Sequence, residues 1–181
     1  MQKIGLIDEI VLEKLRKNLE ISFKRFSIAV EILPNQLPLV KSEYNAERNQ
    51  YDAEKVKSRL KEHLMEQNYY RILGIIDKDI FCNAYNFVFG LADIQCGKKI
   101  TLFALISLTR LKEKFYNTEE NHALYELRIL KVAIHELGHT FGLDHCSKLC
   151  AMQFSNQLRE LDKKPHTYCE TCSIRLRAFI E

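Results

Sequence analysis

Residues 135–145 read HELGHTFGLDH, and the spacing of the three histidines decides how the chain has to fold around them. Residues four apart on an α-helix lie one turn apart on the same face, so His135 and His139 can aim their imidazoles at one point. Glu136 stands beside that point, where a carboxylate can act as general base toward metal-bound water. His145 follows His139 by six residues and on a continuing helix would lie about 240° round the axis. The helix must therefore stop. Gly142 is the expected terminator, because glycine enters the left-handed conformation at little steric cost and turns the chain back. Past that turn His145 can join the other two. Three neutral imidazoles with one position left open suit a catalytic zinc and not a closed structural one.

The bland alternative is a helix with solvated histidines and an ordinary C-cap glycine. The full HExxHxxGxxH pattern arises by chance in on the order of one in 10⁵ chains of this length, so the metal reading is preferred. The chain has 181 residues, 46% of them hydrophobic and 28% charged, which fits a single globular domain (1–181) with a substantial core. A cleft is expected to divide it into an N-terminal lobe (1–142) carrying the helix and a C-terminal lobe (143–181). The formal net charge of +3 is small and its basic residues are interleaved with acidic ones, so neither nucleic acid nor membrane is an expected partner. No segment approaches the roughly 20 apolar residues of a membrane span, and no signal peptide is recognisable. A cytoplasmic location follows as the expectation, with the six cysteines as thiols or metal thiolates.

Along the chain, residues 3–7 (KIGLI) form a strand, Asp8 caps a helix with Ile10, Val11, Leu15 and Leu19 on its apolar face, and residues 26–33 (FSIAVEIL) form a second strand ended by Pro34. That predicts a parallel β-α-β unit. Asp52 caps a second helix with Val56, Leu60 and Leu64 inward, and its lysines are read as a solvated face. Residues 71–76 (RILGII) read as a buried strand. Residues 86–90 (NFVFG) and 100–107 (ITLFALIS) are two more strands, one expected at a sheet edge able to hold an extended peptide. A helix begun at residues 117–121 (NTEEN) leads into the histidines, with Leu124, Leu127, Leu130 and Ile134 as its core face.

Directly after His145 the chain reads CSKLCAM, and later CETC. Cys146, Cys150, Cys169 and Cys172 form two close pairs separated by a loop, a pattern that favours a structural zinc held by four thiolates. Disulfides or a redox switch are the competing readings. Because neighbouring side chains of an extended segment point opposite ways, His145 can face one metal while Cys146 faces the other. Cys82 and Cys96 are read as buried free thiols, and His63, His122 and His166 as surface or capping residues.

The long histidine motif followed by Met152 resembles the metzincin clan of zinc peptidases. More closely, HELGHTFGLDHC, then CAM and CETC, is similar to the archaemetzincin family, with NFVFG and ISLTRL also familiar; together these cover about half the chain. The resemblance implies an α/β (α+β) fold: a mixed twisted sheet with backing and active-site helices, a cleft, and a small zinc-bound C-terminal lobe. It implies His135, His139 and His145 as ligands of a catalytic zinc, Glu136 as base, Met152 as the methionine of a turn beneath the metal, and Cys146, Cys150, Cys169 and Cys172 as ligands of a second zinc. The first cysteine pair departs from the family's spacing, with three intervening residues. Phe154 stands where other metzincins often carry a tyrosine, so no transition-state tyrosine is supported there, and Tyr168 is left as a guess. The implied function is zinc-dependent hydrolysis of peptide bonds by Glu-assisted attack of zinc-bound water. The chain would act as a monomer on a peptide or protein substrate, as aminopeptidase or endopeptidase according to how the cleft closes. The alternative is a zinc-binding protein with latent or no proteolytic activity that holds a peptide or partner in its cleft. A third reading makes the cysteine cluster a redox sensor.

Overall fold

Two runs that are apolar without alternation, RILGII and LFALIS, become the two middle strands of a sheet covered on both faces, which is why neither has a polar side. The computed structural model of the chain describes residues 1–67, 69–83, 85–94 and 101–181. In order its elements are β1 (Gln2–Ile4), α1 (Glu9–Ser22), β2 (Tyr44–Asn45), β3 (Gln50–Asp52), α2 (Ala53–Leu64), β4 (Arg71–Ile76), β5 (Ile80–Phe81), β6 (Gly90–Ala92), β7 (Leu102–Ser107), α3 (His122–Thr140), α4 (Leu158–Lys163) and α5 (Glu170–Ile180). The main sheet has the order β1-β4-β7-β6, and a smaller one the order β2-β3-β5. In the main sheet β1, β4 and β7 run parallel, and β6 pairs antiparallel with β7 at the edge.

Alternate residues of the central strands separate two cores. Leu73, Ile75, Ala104 and Ile106 pack with Leu12, Leu15 and Leu19 of α1 and with the buried half of α3. Ile72, Ile76, Phe103 and Leu105 pack with Val56, Leu60 and Leu64 of α2. The period-2 strand geometry thus puts α1 and α3 on one face and α2 on the other.

Both N-caps are as expected: the Asp8 carboxylate accepts from the Ile10 N–H at 2.8 Å, and that of Asp52 from the Glu54 and Lys55 N–H groups. The buried face of α1 differs by one position. Ile10 is 64% exposed and Leu12 takes its place, because Leu12, Leu15 and Leu19 follow the i, i+3, i+7 stripe that Ile10 leaves.

The second strand of the expected β-α-β unit does not form. Residues 24–26 make a 3₁₀ turn, Ser27 takes φ 54°, and residues 28–33 have no ladder. The chain still runs alongside β1: the Leu33 N–H donates to the Met1 carbonyl, and further on Leu37 bridges Ile4 in parallel, donating to the Lys3 carbonyl and accepting from the Gly5 N–H. Pro34 and Pro38 lack the N–H that a continuous ladder would need.

The edge strand is β6, not residues 86–90: only Gly90 of that run is in a strand. The strand expected over 100–107 begins at Leu102, with Ile100 and Cys96 lying outside the described residues. The helix expected from 117–121 begins at His122, with the Asn121 side chain capping the Leu124 N–H. From Arg128 to Thr140 every residue of α3 is buried, so its core is wider than one face. Among the described residues no helix is long and apolar enough to cross a membrane.

Candidate active site

α3 stops where the sequence requires. Gly142 has φ +76°, its N–H reaches the His139 carbonyl at 2.9 Å, and the Leu143 N–H reaches the Gly138 carbonyl at 3.0 Å. This is the paired-bond helix ending that a left-handed residue makes possible. The reversal brings His145 back: its ring lies 5.3 Å from that of His135 and 4.9 Å from that of His139, centroid to centroid. A ligand nitrogen from each histidine lies within 4.8 Å of the other two.

The two helical histidines are aimed by their backs. Nδ1 of His135 is 2.9 Å from the Ala151 carbonyl, and Nδ1 of His139 is 2.8 Å from that of Leu143. A carbonyl can only accept, so each Nδ1 carries the proton and each Nε2 presents a lone pair. Those Nε2 atoms stand 3.2 Å apart. Two lone pairs at that distance repel unless a cation lies between them, and a tetrahedral zinc with bonds of about 2.0–2.1 Å sets its nitrogens about 3.3 Å apart. The donor set fits zinc. Burial, reinforced by the Lys164 charge, lowers the His135 pKa to about 2, and burial lowers that of His139 also, so both are neutral and able to ligate.

Glu136 is 7% exposed at the floor of a cleft of about 280 Å³ between α3, β6 and the chain after Met152. Burial raises its carboxyl to about 8, against the pull of Lys164 and Lys57. The β6 backbone crosses directly over it. A Cβ on Gly90 would lie 2.5 Å from Glu136 Cγ and 2.7 Å from Oε1, so only glycine allows the edge strand to pass so close. On the other side of the helix Met152 is fully buried, and a Cβ on Gly138 would meet its Sδ at 2.3 Å. Met152 therefore packs beneath the turn that carries His135 and His139.

The four cysteine sulfurs also lie within 4.8 Å of one another, with Cys146 Sγ 3.8 Å from Cys169 Sγ. Tetrahedral Zn–S bonds of about 2.3 Å set sulfurs about 3.8 Å apart. None of the four is in a disulfide. Cys150 Sγ receives the N–H groups of Met152 (3.5 Å) and Cys169 (3.2 Å). The Cys169 thiol, led by a hydrogen bond from the Cys172 backbone, is lowered to about 7. The donated N–H groups favour a thiolate at Cys169, whereas burial raises the Cys150 and Cys172 thiols, so those two need a cation beside them to ionise.

Residues 5–178 match peptidase family M54. The chain belongs to that family. It is 40% identical over 174 residues to an archaemetzincin of Saccharolobus solfataricus, covering 94% of this chain and 87% of that one. To the archaemetzincin of Sulfolobus acidocaldarius it is 36% identical over 171 residues, covering 94% and 90%. Among solved structures, the Archaeoglobus fulgidus archaemetzincin in complex with malonate superposes with a TM-score of 0.74 at 31% identity, covering 96% of each chain. A zinc-dependent peptidase from Methanocorpusculum labreanum gives 0.77 at 26% identity, covering 97% of this chain and 100% of that one. Membership of M54 makes this chain a metallopeptidase with a mixed α/β fold, acting on peptide or protein substrates.

Several residues of this M54 chain escaped the sequence reading. Lys164 is 3% exposed and lines the cleft, its Nζ 2.9 Å from the Gln153 carbonyl and 3.3 Å from His135 Nδ1. Burial lowers it to about 8. It follows the six-residue α4, too short for a periodic signal. Arg128, 5% exposed, holds Asp162 through two bonds of 2.7 and 2.8 Å and Glu113 through one of 2.8 Å, docking α4 on α3. Tyr168 is corrected: its hydroxyl donates to the Ile134 carbonyl at 2.8 Å, so it braces the helix and does not face the cleft. Cys82 is half-buried and lines the cleft instead of the core. His63, His122 and His166 are exposed, as expected.

Proposed function

We propose that the chain hydrolyses peptide bonds with His135, His139 and His145 holding a catalytic zinc, Glu136 as general base, and Cys146, Cys150, Cys169 and Cys172 holding a second, structural zinc. The observation that carries this reading is the pair of Nε2 lone pairs 3.2 Å apart with Glu136 on the same turn, open to one cleft. Bound zinc supplies Lewis acidity, which lowers the pKa of water and polarises a carbonyl. Glu136 takes the proton of the attacking water and delivers it to the leaving amine. Its apolar, buried setting keeps its proton affinity high enough for both transfers. The free side of β6 aligns an extended substrate by strand addition. Met152 and Gly138 set the height of the helix beneath the histidines.

The test is cleavage of a peptide library by protein loaded with two zinc ions per chain, with a chelator control. Glu136→Gln should keep its zinc and lose turnover by about 10²–10⁴-fold; full turnover with zinc retained would end the mechanism. One observation favours a second reading, a latent peptide-binding protein: Glu136 is 7% exposed beneath the β6 backbone. Zinc-loaded protein that binds library peptides and cleaves none would establish it. A monomer in the cytoplasm remains part of the proposal.

A further inference from the structure

A buried ammonium needs acceptors, and Lys164 has few. Its Nζ donates to the Gln153 carbonyl at 2.9 Å. The nearby His135 Nδ1 cannot accept, because it carries the proton directed at Ala151. Glu136 in the same cleft acts on its charge, but no ion pair within contact distance among the described residues involves Lys164. The other lysine buried on this side, Lys131, has two carbonyl acceptors, those of Leu161 and Asp162. A second donor is idle in the same cleft: the Ser155 hydroxyl is buried and without a hydrogen-bond partner among the described residues. The walls around Lys164 include Val132 and Leu161, 3% and 1% exposed. Apolar walls weaken screening and strengthen the field of a single charge.

We propose that Lys164, with the Ser155 hydroxyl, forms a carboxylate receptor in the cleft, so that the chain selects substrates with an acidic group next to the scissile bond. The inference rests on the peptidase reading above. Geometry sets the position: the ammonium lies against the Nδ1 side of His135, behind the metal-facing Nε2, while Lys164 lines the same cleft as Glu136, so the group it would receive is a side chain that extends past the ring from a residue flanking the reacting carbonyl. A carboxylate there completes the hydrogen bonds of both donors. A neutral amide of the same shape offers only one oxygen and brings two N–H groups toward the ammonium. The carboxylate has two sources, an aspartate or glutamate side chain and the free C-terminus of a short peptide.

The experiment uses peptide hydroxamates on the zinc-loaded protein, so that binding is read by calorimetry without any need for cleavage. Three probes are compared: glutamate next to the hydroxamate with an amidated C-terminus, glutamine in its place, and the glutamine probe with a free C-terminal carboxylate. The wild type should bind the glutamate probe at least about 10-fold more tightly than the amidated glutamine probe. Tighter binding of the free-acid glutamine probe instead would assign the receptor to a C-terminal carboxylate. Lys164→Met should reduce either preference to within about twofold, and Lys164→Arg should restore it. A preference that survives Lys164→Met, or wild type that does not discriminate, overturns the inference alone. Equal losses for all probes in Lys164→Met make Lys164 a structural brace and overturn it too. Failure of every hydroxamate to bind the wild type overturns the peptidase reading together with the inference.

Discussion

The histidine cluster and the cysteine cluster sit next to each other in sequence and are built in opposite ways. Two of the three histidines lie on one continuous buried helix, their rings fixed from behind by carbonyls at 2.8–2.9 Å. The cysteines come from a loop and from the start of α5, and among the described residues N–H groups and each other's sulfurs orient them. One cluster is preorganised by the fold, while the other, on the proposed reading, would organise the fold around a metal that neutralises its thiolates. One backbone residue joins them. Ala151 accepts from His135 through its carbonyl and donates to the Thr167 carbonyl through its N–H, two residues before Cys169, and the Cys146 N–H reaches the Met152 carbonyl. Disorder among the cysteines is therefore expected to reach the back of the first histidine.

The largest expected effect breaks this comparison from the cysteine side. Cys169→Ser with Cys172→Ser should lose one zinc and several kcal/mol of stability, since structural zinc binding supplies on the order of 10 kcal/mol in small domains. Zinc affinity at the histidines should fall by about 10–100-fold, as for loss of groups that orient ligands from behind. Metal analysis, thermal melts and chelator competition read the three quantities, and an unchanged histidine-site affinity would uncouple the clusters.

Next in size is a substitution that leaves the histidines alone but perturbs what lies over them. Gly90→Ala puts a methyl group into Glu136. Turnover should fall by about 10²-fold through misplacement of the carboxylate, with zinc content unchanged; equal losses of zinc and turnover would mean that β6 supports the metal site itself.

A smaller effect probes the helix without metal. The Glu136 carboxyl is raised from 4.5 to about 8 in the fold, so the folded state holds its proton more tightly than the unfolded one. Its contribution is present at low pH and is lost as pH rises from the ordinary carboxylate range through about 8. Metal-free wild type should therefore lose stability relative to Glu136→Gln across that window. Parallel pH–stability curves for the two proteins would show that Glu136 is not desolvated. The smallest effect is that of Tyr168→Phe, expected to cost about 1 kcal/mol for one hydrogen bond while leaving turnover alone. A Tyr168→Phe protein that keeps its stability but loses turnover would restore Tyr168 as a reacting group.

The chain's own order carried much of this. Spacing placed His135, His139 and Glu136 on one turn and required Gly142 to end it, because the 3.6-residue period leaves no other way to bring His145 back. The apolar runs of β4 and β7 and the caps Asp8 and Asp52 were equally local signals. The strand over residues 26–33 was misread because its apolar composition was legible, while the hydrogen-bond partners that define a strand were not. Gly90, Gly138 and Lys164 could not be read for a different reason. Each matters for what comes within a few ångströms from a distant part of the chain: Glu136 under Gly90, Met152 under Gly138, and His135 beside Lys164. The sequence by itself determined the candidate metal-ligating residue types and the helix that spaces them, since both follow from covalent neighbours and a fixed helical period. Only the tertiary structure decided which backbone covers Glu136, which lone pairs face each other and which buried charge is left short of acceptors. Those depend on packing between segments that no local rule brings together.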